Sequence, residues 1–340
     1  MKARDAFSAQ ADAFERAGSP FTARLFRLIA TRSDAALTGI SVSPDDGRPE
    51  TLPERFAAAL HWLVLEDRDA GLSTVFPPND GEVSDAEIWM AVASAVNAHP
   101  LAVAAGLAQT PLRCDPLTCG ALAPGFLTVA ALTGLPLAMS QTDAGAGIEL
   151  WWDRFGYRFG PVPWGVADAE VDIRPDWSGP TPPMRPVRIA ERVGCDAAPP
   201  DLARPAVRMR MLSRVPADQP GRLLRLAGAL EVARDGGPIV EAADVTEWLT
   251  GRLASPEPGL AHVVFHGAVG GGVVPQGRRA MIEVAGGQAT RDAPLAWLRL
   301  EAERGSGDLA IMLTLWPGGE TRVLGRSDAG ATRVAWNGWG

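Results

Sequence analysis

The chain has 340 residues, 46% of them hydrophobic, and a formal net charge of −8. That apolar content excludes wholesale disorder, and the acidic balance argues against a nucleic-acid partner, whose phosphates need a basic surface. Three cysteines and four scattered histidines offer neither a disulfide framework nor a zinc spacing. No run of about 18 apolar residues is long enough to span a membrane, and residues 1–20 lack the apolar centre of a signal peptide, so no membrane partner and a cytoplasmic setting are expected.

In chain order, residues 5–134 read as helical. A helix over Asp5–Ala17 ends at Gly18-Ser19-Pro20, which opens a second helix with Phe21, Leu25, Leu28 and Ile29 on one face. Thr51-Leu52-Pro53-Glu54 and Ser84-Asp85-Ala86-Glu87 both have the spacing of capping boxes, and Asp115-Pro116 opens a helix that runs toward Gly134. With no strand signal of its own, this part is expected to form a helical domain, 1–134, that acts as a cap or lid.

Leu135–Met139 is an apolar run short enough for one buried strand. A turn of small residues, Ser140–Gly147, follows it, and Ile148–Trp152 can start a helix. Strand, glycine turn and helix is a unit that binds nucleotide-like cofactors. Gly145 and Gly147 allow close backbone approach, and a helix start offers free N–H groups.

Residues 154–186 then break the pattern, with seven prolines and two short alternating runs, and read as an inserted hairpin or loop. An α/β rhythm resumes beyond it. Strand candidates are Val187–Val193, ending at Gly194-Cys195-Asp196; Ile239–Ala242, ending near Asp244; Leu260–His266; and Ala296–Leu300. Helical patterns separate them, with Gly270-Gly271-Gly272 leading into the last. The end reads as a hairpin of Leu309–Trp316 with either Thr321–Leu324 or Thr332–Trp336, the latter preferred.

Five β–α units closed by a terminal hairpin resemble the class I S-adenosylmethionine-dependent methyltransferases. That resemblance implies a seven-stranded, mostly parallel Rossmann-like sheet over 135–340. The whole chain is also similar to an uncharacterised bacterial family with a helical N-terminal part before such a half. The residues that carry this likeness include Gly18-Ser19-Pro20, Ala144-Gly145-Ala146-Gly147, Trp152-Asp153-Arg154, Gly194-Cys195-Asp196, Val264-Phe265-His266, Pro294–Arg299 and Thr314–Gly318.

The methyltransferase resemblance implies S-adenosylmethionine as cofactor and a small molecule as methyl acceptor. It puts Gly145 and Gly147 at the second and third glycines of the cofactor loop, Asp143 at the first, and Gln141 at the leading acid. Asp196 stands where the ribose is bound, and Asp244 where the adenine is read, though Asp244 also has the spacing of a helix cap. His266, at a strand end, is a candidate general base. Asp153-Arg154 reads as a supporting salt bridge. Three departures stand out: Gln141 lacks the charge of the acid it replaces, Asp143 places a side chain where glycine is usual, and no Asn/Asp-Pro-Pro-aromatic motif follows the fourth strand. Near residue 115 the family's amide, acid and arginine give way to Cys114, Asp115 and Thr118. These departures favour a second reading, a methyltransferase-like binding protein that has lost catalysis. An NAD-linked oxidoreductase is the weakest of the three, because it leaves the terminal hairpin unexplained.

Overall fold

A computed structural model describes residues 3–36, 51–79, 81–109, 115–237, 239–267, 274–303, 305 and 307–340. Cys114 and the Gly270–Gly272 run lie outside these residues. The chain divides into two compact units: residues 1–113 with 203–227, and residues 114–202 with 228–340.

The first unit is helical. Its elements are α1 (Ala3–Arg16), α2 (Pro20–Ala36), α3 (Leu52–Leu65), α4 (Ala70–Val75), α5 (Asp85–Ala98) and α6 (Pro100–Leu107). Phe7 packs edge-on against both Phe26 and Phe56, which fixes α1 across α2 and α3. The Ser84/Glu87 capping box forms as expected, whereas Thr51 makes no cap hydrogen bond to α3. The expected domain boundary at 134 is displaced. The next helix, α7 (Thr118–Thr133), packs on the sheet of the second unit instead. Its buried face, with Leu122, Phe126 and Val129, is too extensive for a surface lid.

In exchange, α8 (Pro205–Leu212) and the first half of α9 (Pro220–Asp235) belong to the helical unit. Asp218 explains the attachment: its carboxylate accepts from the backbone N–H groups of Phe21 and Thr22 and from the Thr22 hydroxyl, and so caps α2 from a distance in sequence. The buried His61 ring holds the Ser213 and Val215 carbonyls in the same way. Among the described residues no single helix is long and apolar enough to cross a membrane.

The second unit is a layered α/β structure. Its strands are β1 (Leu137–Thr142), β2 (Gly156–Phe159), β3 (Val162–Gly165), β4 (Asp172–Ile173), β5 (Asp176–Ser178), β6 (Ile189–Asp196), β7 (Val240–Ala242), β8 (Ala261–His266), β9 (Leu295–Ala302), β10 (Leu309–Trp316), β11 (Glu320–Ser327) and β12 (Arg333–Trp336). Nine of them form one sheet in the order β5-β12-β11-β10-β9-β8-β1-β6-β7, so the expected count of seven is too low. β7, β6, β1, β8 and β9 run parallel. β10 and β11 then fold back as antiparallel strands, with β12 antiparallel to β11.

Both candidate partners for the end of the chain are strands, and it is β11, not the preferred 332–336, that pairs with β10. The charged Arg322 and Arg326 and a register shift between Ile311 and Met312 blur its alternation. The ninth strand, β5, comes from the insertion and extends the sheet edge beside β12. The rest of the insertion is a small sheet ordered β3-β2-β4, as its hairpin pattern suggests.

Strand register sorts side chains between two faces. Gln141 lies level with Phe265, and Phe265 with Leu298, on the face covered by α7 and a 3-10 helix (Ile148–Arg154). Ser140 lies level with Val264, Val264 with Trp297, and His266 with Arg299, on the opposite face. There α10 (Val245–Leu253) and α11 (Gln276–Gly286) bury Trp248, Leu249 and Ile282 against Val264 and Trp297.

Candidate functional site

The strand order reverses at β1. The chain proceeds outward through β6 and β7, then returns to β8 on the other side of β1. In open α/β sheets ligands bind beyond the carboxyl ends of the strands at such a reversal. The turn 140–147, Asp196, Asp244 and His266 therefore all stand along the edge where a ligand is expected.

The turn after β1 is tightly folded. Asp143, Gly145 and Gly147 all have positive φ, at 52°, 53° and 68°. Asp tolerates this conformation and glycine adopts it freely, which accounts for the alternation of these residues. The turn lies down on its neighbours: Ala144 N–H donates to the Cys195 carbonyl, Gly147 N–H to the Ala144 carbonyl, and Gly145 N–H to Asp196 Oδ2 at 2.9 Å. A Cβ added to Gly147 would stand 2.6 Å from Val240 Cγ2, so this glycine permits packing against β7. Three of the turn's N–H groups thus serve the protein itself. Asp196 is a tie between strand and turn, its second oxygen accepting from Ala198 N–H.

Asp244 accepts from the N–H groups of Glu247 and Thr246, and caps α10. Those hydrogen bonds hold its carboxyl below the usual carboxylate range. Asp143 pairs with Arg278 of α11 at 2.7 Å, which joins the turn after β1 to the helix that follows β8. The expected Asp153–Arg154 bridge is a marginal 4.0 Å contact. The partner that matters is Arg192 on β6, whose two terminal nitrogens donate to Asp153 at 2.6 and 3.0 Å while its guanidinium stacks on Trp151.

Gln141 leads to a residue that sequence reasoning missed. Its Nε2 donates to Oε2 of Glu149 at 3.1 Å, and both side chains are buried. Burial pushes the Glu149 carboxyl up, against the opposing effect of that hydrogen bond, and Asp115 adds to the rise. A buried carboxyl thus stands beside Gln141, eight residues on in sequence. An acid two residues after the last glycine, at a helix start, was the signal available in the sequence. Oε1 of Gln141 is buried with no partner among the described residues.

His266 is 2% exposed. Its Nδ1 faces the Gly267 carbonyl at 2.9 Å, so the ring proton resides there and Nε2 presents a lone pair. Nε2 has no partner among the described residues. Burial lowers the pKa of this imidazole and keeps it neutral, the form a general base requires.

A large, mostly parallel sheet that reverses at its first strand, with helices at the N-terminal side of the chain, defines the class: a mixed α/β protein. The family described as "uncharacterized protein conserved in bacteria (DUF2332)" matches residues 4–336, and the chain belongs to that family. No match is found among curated proteins or among solved structures.

Proposed function

We propose that the α/β unit binds S-adenosylmethionine at the carboxyl edge of β1, β6, β7 and β8 and methylates a small molecule. The observation that supports this most is the buried Gln141–Glu149 pair at the end of β1. An orphaned amide oxygen beside a carboxyl fits a ligand that brings an ammonium or hydroxyl donor, and the amino acid end of this cofactor has such a group. When bound, the cofactor supplies an activated methyl group. The residues of the chain hold and orient it, with Asp196 and Asp244 fixing the loops on either side, and His266 accepts the proton of the acceptor.

A second reading, a binding protein without catalysis, is favoured by one observation. The glycine turn uses its own N–H groups within the protein and packs Gly147 on Val240, while Asp143 is tied to Arg278. Calorimetric titration with S-adenosylmethionine and S-adenosylhomocysteine tests both readings. Saturable binding that weakens about tenfold or more in Gln141→Leu, the size expected for a lost buried hydrogen-bond partner, supports cofactor use. Absence of binding in the unmodified chain, with binding gained in Asp143→Gly, supports the second reading.

A further inference from the structure

Glu149 is a buried carboxyl without a cation. It is 9% exposed, its side-chain partner is the Gln141 amide, and no arginine pairs with it among the described residues. Asp115, ahead of α7, is near enough for its charge to act on Glu149, and Leu117 N–H holds it in place. The other charged groups on the elements around Glu149 are engaged elsewhere. Asp153 and Arg192 pair with each other, Arg154 is exposed beside them, and His266 stands on the opposite face of the sheet. Tyr157 is buried, which keeps its phenol neutral. A carboxyl out of water, beside a second carboxylate and without a cation, keeps its proton.

There is room beside this carboxyl. A Cβ added at Gly267, just past β8, would stand 3.4 Å from Thr118 Cγ2 and 3.7 Å from Glu149 Oε1, which are ordinary contacts. A space the size of a methyl group therefore lies against the carboxyl oxygen, between the end of β8 and the start of α7. Gly267 and Asp115 are only partly buried, so this space is reached from the surface. An ammonium is about as large as a methyl group. The same cluster holds its acceptors: Glu149, and Gln141 with its buried, unpartnered Oε1.

We propose that this space seats the primary ammonium of a ligand's amino acid end, and that Glu149 gives up its carboxyl proton to solvent when the ammonium binds. That this ligand is the cofactor rests on the S-adenosylmethionine reading; the seat and its proton exchange do not follow from that reading. Where Glu149 is protonated in the free chain, binding has to expel a proton and strengthens as pH rises. Once Glu149 is ionised in the free chain, the dependence levels off.

The probes are S-adenosylhomocysteine, L-methionine and 5′-methylthioadenosine, titrated calorimetrically into the full chain. Runs between about pH 5 and pH 8, each in two buffers of different ionisation heat, give the protons released per ligand bound. The two amino acids are expected to release about one proton at the acid end, with affinity rising about tenfold per pH unit, and none at the alkaline end. 5′-Methylthioadenosine, which lacks the amino acid, is expected to release none. Glu149→Gln keeps the shape of the neutral carboxyl and is expected to abolish the release. Gly267→Ala fills the space without a clash and is expected to weaken both amino acids at least about tenfold, leaving 5′-methylthioadenosine unchanged. Binding of S-adenosylhomocysteine without proton release, equal release by 5′-methylthioadenosine, or amino acid binding unaltered in both variants would overturn this proposal and leave the cofactor reading standing. Proton-releasing binding of L-methionine without binding of S-adenosylhomocysteine would sustain the seat and remove the cofactor reading. Binding of neither amino acid would overturn both.

Discussion

At Gly147, one missing Cβ decides how the turn packs. A methyl group there meets Val240 at 2.6 Å on a backbone with φ of 68°. Gly147→Ala is therefore expected to destabilise the α/β unit by about 1–3 kcal/mol, seen as a lower midpoint in urea unfolding. Two buried groups give stability its pH dependence. His262, next to Ser140 at 2.8 Å, is lowered from 6.5 to about 4 by burial, with Arg252 nearby acting in the same direction. As pH falls from 6.5 the unfolded chain takes up this proton first. Stability should decline down to about pH 4 and then level, by about 3 kcal/mol for the whole shift. Thermal melts across this range should show a shallower acid limb in His262→Gln.

Glu149 acts at the other end. Its folded pKa is raised, so its contribution is complete below the ordinary carboxylate range and is lost as pH rises through the folded value. In the same melts, Glu149→Gln should remove the loss of stability as pH rises above the ordinary carboxylate range. An unchanged slope there would show that the carboxyl is not held neutral.

At the scale of elements, Arg192 on β6 and Asp153 near the end of the 3-10 helix join the start of the insertion to the sheet. Both side chains are largely buried, at 15% and 22% exposure. Asp153→Ala leaves a guanidinium without its carboxylate and should cost about 2–3 kcal/mol, whereas Arg154→Ala should cost little, since Arg154 is exposed and only 4.0 Å from the same carboxylate. Denaturant midpoints of the two variants make the comparison.

This pair also shows the limit of the sequence. Adjacent opposite charges at 153 and 154 suggested a bridge, but register, which sequence does not display, brings Arg192 to Asp153. The parallel strands β1, β8 and β9 were legible because burial on both faces favours short apolar runs. β11 was less so, because one of its faces is polar and its register shifts. Asp244 had the spacing of a cap and is one. The tie from Asp196 to Gly145 spans 51 residues and depends on β1 and β6 being neighbours, which no local pattern reveals.

At the scale of the whole chain, the helical unit is discontinuous. Asp218 caps α2, and His61 holds the 213–215 backbone, so residues 1–113 lack part of their own structure when expressed alone. Circular dichroism of that fragment should show reduced helicity and no cooperative melt. A cooperative transition like that of the helical unit in the full chain would mean that 203–227 is dispensable. The crossing of the chain into this unit between β6 and β7 replaces the simple crossover helix that the helical pattern between those two strands suggested. The α/β unit keeps a parallel five-stranded core despite that excursion, because β6 and β7 still pair in register from Gly194 to Asp196.

The central claim is that the edge of this core binds S-adenosylmethionine. The most direct measurement is a calorimetric titration of the full chain with S-adenosylhomocysteine, which binds without turnover, alongside Gln141→Leu. The account predicts one saturable site in the unmodified chain and an affinity about tenfold weaker or lower in the variant. No heat of binding and no rise in melting temperature with the unmodified chain, at any ligand concentration that remains soluble, would contradict it.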